Sequence, residues 1–114
     1  MRLVIIAGLM VGCAGELDGI DSAELADTLS GVWCQRMKEC DRAYYDATYD
    51  NRADCLTAEQ RNWQDTHDYY LDIGCQYTDE SGASLYNRFR EMTCAEFYDQ
   101  TYLDDYDQIW KCGG

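Results

Sequence analysis

The strongest constraint on this chain is its cysteines. Cys34, Cys40, Cys55, Cys75, Cys94 and Cys112 form an even set spread over most of the chain after residue 33, and a seventh, Cys13, stands apart near the N-terminus. Outside the cytoplasm an even set reads as three disulfides, which suit a chain too short to bury a large core. Six cysteines allow 15 pairings. If the segment around Cys34 and Cys40 is helical, these two stand about 9 Å apart along the axis and face different directions, beyond the ~7 Å reach of a bridge. They must therefore find different partners. The favoured set joins Cys40 to Cys55 across a short loop, Cys75 to Cys94, and Cys34 to Cys112, with other pairings left open. Zinc motifs place ligand pairs two to four residues apart, whereas the closest pair here is separated by six. No metal and no cofactor is expected.

Residues 1–12 read as an export segment. Arg2 supplies one positive charge, Leu3 to Val11 are uncharged and mostly apolar, and small residues follow. A helix of that run would rise roughly 14 Å, about half of the hydrocarbon core of a bilayer, so it does not make a stable span. Leu9, Met10, Val11, Gly12 and Cys13 resemble the lipobox of bacterial lipoproteins, in which a cysteine is acylated before cleavage. Met10 departs from the leucine usual three places before that cysteine. The resemblance implies a signal peptide over 1–12, lipidation at Cys13 and a tether over 13–20. Ala14, in place of the aspartate that retains lipoproteins at the inner membrane, implies outer-membrane anchoring, facing either the periplasm or the surface.

The charge balance excludes other destinations. Nine Lys and Arg stand against 22 Asp and Glu, a formal net charge of −13. Removal of residues 1–12 takes away Arg2 and none of the acids. Such a surface repels phosphate backbones and anionic headgroups, which argues against nucleic-acid partners. Ten Tyr, 3 Trp and the cysteines give it the ordering capacity that disordered acidic segments lack.

From residue 21 onward the chain reads as helices. Asp21-Ser22-Ala23-Glu24 offers a capped start, after which Leu25, Leu29, Val32, Trp33, Met37 and Cys40 recur at spacings of three and four. Thr57-Ala58-Glu59-Gln60 repeats the capping pattern ahead of Trp63, His67, Tyr70 and Leu71, with a stop at Gly74. Ser81 is placed to cap a third helix with Leu85, Phe89 and Met92 inward. Thr93-Cys94-Ala95-Glu96 opens the last, along which Tyr98, Tyr102 and Tyr106 fall four residues apart. There is no Pro, and β-branched residues seldom adjoin. The predicted fold is all-α: a small four-helix, disulfide-stapled domain over 21–114 behind a cleaved N-terminal signal. Its helices span roughly 21–40, 56–73, 81–92 and 94–110, with weaker stretches at 41–54 and 77–84.

Chemistry is thinner. His67 is the only histidine, and a general base there would need an orienting carboxylate such as Asp68. No nucleophile motif accompanies it, so a packed histidine with a hydrogen-bonded edge is the expectation, and the chain is not expected to be an enzyme. Asp41, Asp46, Asp50 and Asp54, and likewise Asp99, Asp104, Asp105 and Asp107, read as solvated acid, since no segment follows the order of a calcium loop. More distinctive is the pairing of Tyr with Asp. Tyr44, Tyr45, Tyr49, Tyr69, Tyr98, Tyr102 and Tyr106 are the candidate binding surface, because Tyr offers broad contact and a hydroxyl at small conformational cost. The competing use of these rings is core packing.

Beyond the lipobox, the six-cysteine body is similar in layout to small cysteine-rich lipoproteins of Gram-negative bacteria. That resemblance implies a membrane-anchored extracytoplasmic module, non-catalytic, binding an unknown protein or glycan or serving a structural role. The alternative is a secreted cysteine-rich effector or inhibitor without a lipid.

Overall fold

A computed structural model describes residues 15–113. Cys13, the signal over 1–12 and the first two residues of the tether lie outside the described residues. Among those described, the chain is mainly helical, and the helices number six where the sequence predicts four.

A 3₁₀ turn at Ser22–Glu24 leads into α1, Leu25–Cys40. Asp21 makes no side-chain cap there. Leu25, Leu29, Met37 and Cys40 are buried, as the periodicity predicts, and so is Cys34, while Val32 and Trp33, expected on the same face, pack against it partly exposed. Asp41 then leaves helical geometry, with φ −140° and ψ 64°, and its carboxylate accepts from the backbone N–H of Tyr44. This starts α2, Arg42–Thr48, inside the stretch expected to be loop. The longest helix, α3, runs Arg52–Asp72 and begins earlier than its Thr57 signal, because Asn51 caps it by accepting from Asp54 N–H. It stops as expected at Gly74, whose φ of +93° suits a residue without Cβ. Gly74 N–H reaches Leu71 C=O and Cys75 N–H reaches Tyr70 C=O, closing the helix end.

Beyond Gly74, a two-residue strand β1, Gln76–Tyr77, pairs antiparallel with β2, Trp110–Lys111, in the register Gln76 to Lys111 and Tyr77 to Trp110. Between them α4, Asp79–Glu91, is capped by Thr78 rather than Ser81. Gly82 is not a loop residue. It sits inside α4 where a Cβ would collide with the Tyr77 hydroxyl and stand 2.9 Å from Leu25 Cδ1, so the absent side chain lets α4 close on the start of α1.

The fourth predicted helix is two pieces. Thr93 and Glu96 form the predicted capping box of α5, Cys94–Tyr98. Gln100 then takes φ +59°, with its N–H on Phe97 C=O and Thr101 N–H on Glu96 C=O. The helix ends there, and α6, Leu103–Asp107, starts anew. Tyr98, Tyr102 and Tyr106 therefore share no helix face.

Three bridges clamp this arrangement, in a pairing different from the favoured one. Cys34 joins Cys55, Cys40 joins Cys94, and Cys75 joins Cys112. Cys34 and Cys40 do take separate partners. The Cys34–Cys55 bridge fastens α1 to α3, because α3 starts early enough to carry Cys55 in its first turn alongside the middle of α1. Cys75 flanks β1 and Cys112 follows β2, so the strand pair brings them together at a Cα separation of 4.1 Å. Leu25, Leu29, Leu85, Ile109 and Phe89 are the fully sealed apolar centre, each contributing about 1.5–3 kcal/mol by burial.

The segment predicted as tether is partly body. Asn87 on α4 accepts from Leu17 N–H and donates to Leu17 C=O, both at 2.9 Å, and Ile20 is buried with its N–H on Asp79 C=O. Tyr77 Oη donates to Ile20 C=O at 2.6 Å. Leu17 and Ile20 thus pack with the helical body. Three disulfides place the chain in an oxidising setting outside the cytoplasm. Among the described residues no helix is long and apolar enough to cross a membrane.

Candidate functional site

Two clusters combine polar and aromatic side chains, and they are built differently. The first centres on His67, on the inward face of α3 and 2% exposed. Trp110 Nε1–H donates to His67 Nδ1 at 2.9 Å, and Ser22 Oγ lies 2.6 Å from Nε2. An indole nitrogen can only donate, so Nδ1 has no proton and the neutral ring carries its hydrogen on Nε2, directed at the Ser22 oxygen. That is the wrong tautomer for taking a proton from serine. Burial pushes the imidazole pKa below its ordinary value, opposed by the neighbouring Asp68 charge. Asp68 does not orient the ring, since it accepts from Gln64 one turn earlier. Tyr77 packs edge-on to the ring at 5.0 Å, and Tyr70 stacks on Trp110 at 4.6 Å. Every polar atom of His67 is used, as a packed histidine requires.

The second cluster is an open cleft of about 200 Å³ lined by Trp33, Met37, Asp41, Tyr44, Tyr49 and Glu59. Trp33 and Met37 lie on successive turns of α1 and Asp41 follows one turn on, so one helix edge supplies half the wall. Tyr44 projects from α2 and is 50% exposed, while Tyr49 follows α2 and is buried. Tyr49 Oη donates to Glu59 Oε2 at 2.7 Å, and burial together with that carboxylate drives the phenol pKa far upward. Trp33 is anchored from behind by Phe89, Phe97 and Tyr102, with ring centres 5.3–5.8 Å away. The Cys40–Cys94 bridge and a hydrogen bond from Tyr98 Oη to Cys40 C=O fix the adjoining end of α1.

The seven predicted tyrosines do not make one surface. Tyr44, Tyr69 and Tyr98 are exposed, on α2, α3 and α5 respectively. Tyr45 and Tyr49 are core residues, and Tyr102 and Tyr106 are half-buried against the core, their phenol pKa values raised by burial. Tyr49 meets two of the others, packing on Tyr45 with ring centres 5.5 Å apart and sharing the cleft with Tyr44. Asp41 and Glu59 complete it, the first read from the sequence as solvated acid and the second as part of a capping pattern. The i, i+4, i+8 spacing of Trp33, Met37 and Asp41 could have placed those three together, but nothing local joins Tyr49 to Glu59. The same holds for Ser22, His67 and Trp110, 45 and 43 residues apart.

Four of the other acids weighed in the sequence have structural places. Asp46 pairs with Arg42 and Asp105 with Arg88, while Asp54 and Asp104 lie in first helical turns, where a negative charge suits the dipole. Among the described residues no group of three or more His, Cys, Asp or Glu is arranged to hold a metal.

No protein family, curated protein or solved structure matches the chain.

Proposed function

We propose that this chain is an extracytoplasmic lipoprotein, acylated at Cys13 and anchored to the outer membrane, whose stapled domain is a non-catalytic binding module. The observation that carries the binding role is the cleft of Trp33, Tyr44 and Tyr49, an open aromatic recess held on a disulfide-clamped frame. Rigid aromatic side chains of this kind give contact area at little entropic cost. The tautomer of His67 supports the non-catalytic part, because the one Ser–His contact is set for packing. The anchor rests on the lipobox residues Leu9 to Cys13. With Leu17 hydrogen-bonded to Asn87, four residues at ~3.5 Å each would hold the body within about 14 Å of the acylated cysteine.

The test is the intact mass of detergent-extracted native protein, with thiol alkylation before and after reduction. The expected result is an acylated chain beginning at Cys13 that takes up six alkyl groups only once reduced. An unacylated soluble chain would instead support the secreted effector or inhibitor.

A further inference from the structure

The cleft has the chemistry of a cation site. Its six lining residues include three aromatic rings and two carboxylates and no lysine or arginine. Each carboxylate is steadied through one oxygen, and among the described residues the other takes no hydrogen bond. Glu59 Oε2 accepts from Tyr49 Oη, leaving Oε1, while Asp41 Oδ1 accepts from Tyr44 N–H, leaving Oδ2. Two cationic side chains of α1 and α2 are paired elsewhere, Arg36 with Glu39 and the Met92 carbonyl and Arg42 with Asp46, and Lys38 of α1 does not line the cleft. An aromatic wall attracts a positive charge through its ring quadrupole, and two half-used carboxylates add charge-assisted hydrogen bonds. The net charge of −13 extends that attraction over the whole surface.

Building on the binding role above, we propose that the cleft receives a cationic side chain, arginine above all, presented by a basic protein partner. A planar guanidinium has donors enough to reach both Glu59 and Asp41 while lying against a ring, which a compact ammonium cannot do as well. The cleft is open and of about 200 Å³, which suits the end of a side chain delivered on a backbone that stays outside.

The experiment is an NMR and calorimetric titration of the oxidised full chain in detergent, read at the Trp33 indole resonance, which Trp33→Phe identifies. The probes are a blocked arginine peptide, its neutral citrulline counterpart, tetramethylammonium, and a neutral N-acetylglucosamine oligomer. The arginine peptide is expected to move the Trp33 signal and to bind about tenfold or more tightly than the citrulline form. Glu59→Gln and Asp41→Asn should each weaken it about tenfold, the latter keeping the α2 cap because asparagine caps as well as aspartate. Asp104→Asn, on α6, should leave affinity unchanged. Citrulline or the sugar binding as well as arginine, with Trp33 moved, would overturn the cation guest and leave the binding module standing. Tetramethylammonium matching the peptide would overturn the protein source in favour of a free amine. Peptide binding that ignores Trp33, Glu59→Gln and Asp41→Asn would overturn the cleft itself, and no binding by any probe would overturn the inference whole.

Discussion

The His67 cluster and the Trp33 cleft contain similar side chains and differ in how far their hydrogen bonds are used. At His67 both ring nitrogens are engaged by Trp110 and Ser22 in a sealed setting, and nothing remains to offer a ligand. In the cleft, Glu59 and Asp41 each spend one oxygen on holding the structure, and both line the opening. Saturation marks the first as scaffold, whereas unused acceptors beside aromatic rings are the ground on which the second is proposed to take a guest. The lone histidine, the residue that sequence reasoning weighs first for chemistry, belongs to the scaffold.

The largest effects that can separate the two regions come from the disulfides next to them. Cys40–Cys94 adjoins the cleft and Cys75–Cys112 adjoins Trp110, with sequence separations of 54 and 37. Replacing either pair by alanine should cost about 4 kcal/mol in denaturant unfolding, by the entropy of the loop it closes. Amide exchange should then diverge. Loss of Cys40–Cys94 is expected to speed exchange in α2 and around Trp33 before it reaches His67, and loss of Cys75–Cys112 to free the β1–β2 pair first. Uniform acceleration in both variants would mean that the two regions open as one unit.

Next in size is His67→Ala. It removes a sealed ring and leaves the Trp110 N–H without its acceptor, a combined cost of about 3 kcal/mol by thermal or urea unfolding. The cleft should keep its affinity for whatever it binds, since none of its residues touches His67. A catalytic histidine would show the reverse, with activity lost and stability little changed.

The pH dependence is smaller and its direction follows from burial. The folded chain holds His67 neutral, with its pKa lowered chiefly by desolvation, so on acidification the unfolded chain takes up the proton first, near pH 6.5. Its contribution to stability is complete above that pH and is lost as the pH falls toward the folded-state pKa. Trp110→Phe removes the donor that holds Nδ1 unprotonated, at about 1 kcal/mol of its own, and should flatten this loss. Urea unfolding of both proteins at pH 7 and pH 5 measures the difference, with the carboxylates common to both. Equal slopes would show that His67 does not contribute to the acid sensitivity.

Legibility in the sequence followed how local each cause is. The inward face of α1, the buried face of α4 at Leu85 and Phe89, the stop at Gly74 and the Thr93–Glu96 capping box all depend on residues within a few places of each other, and all appear as expected. The break after Tyr98 was hidden because the residue with positive φ is Gln100 and not glycine, although its hydrogen bonds match those at Gly74. Without that glycine, the four-residue tyrosine spacing looks like one continuous helix. Asn51 caps α3 without a capping-box partner, whereas Thr57 has one, so the sequence signal starts the helix after Cys55 and hides the place of Cys55 beside Cys34. The disulfide pairing and both clusters join residues at least 10 places apart across different elements, where spacing alone gives no distance.

The smallest expected effect sharpens the comparison most. Glu59→Gln removes a charge from the cleft but leaves an amide oxygen able to accept from Tyr49 Oη, so the frame keeps its hydrogen bond. Stability by urea unfolding should stay within about 0.5 kcal/mol of the parent, as for surface changes that break no buried partner. It should even rise slightly at low ionic strength, because one of 22 acidic charges is gone from a strongly negative molecule. A loss of 2 kcal/mol or more, on the order expected for breaking a buried charged network, would place Glu59 with His67 as scaffold. The cleft would then lose its distinction from the sealed cluster, because the carboxylate that gives it a free acceptor would already be fully committed to the fold.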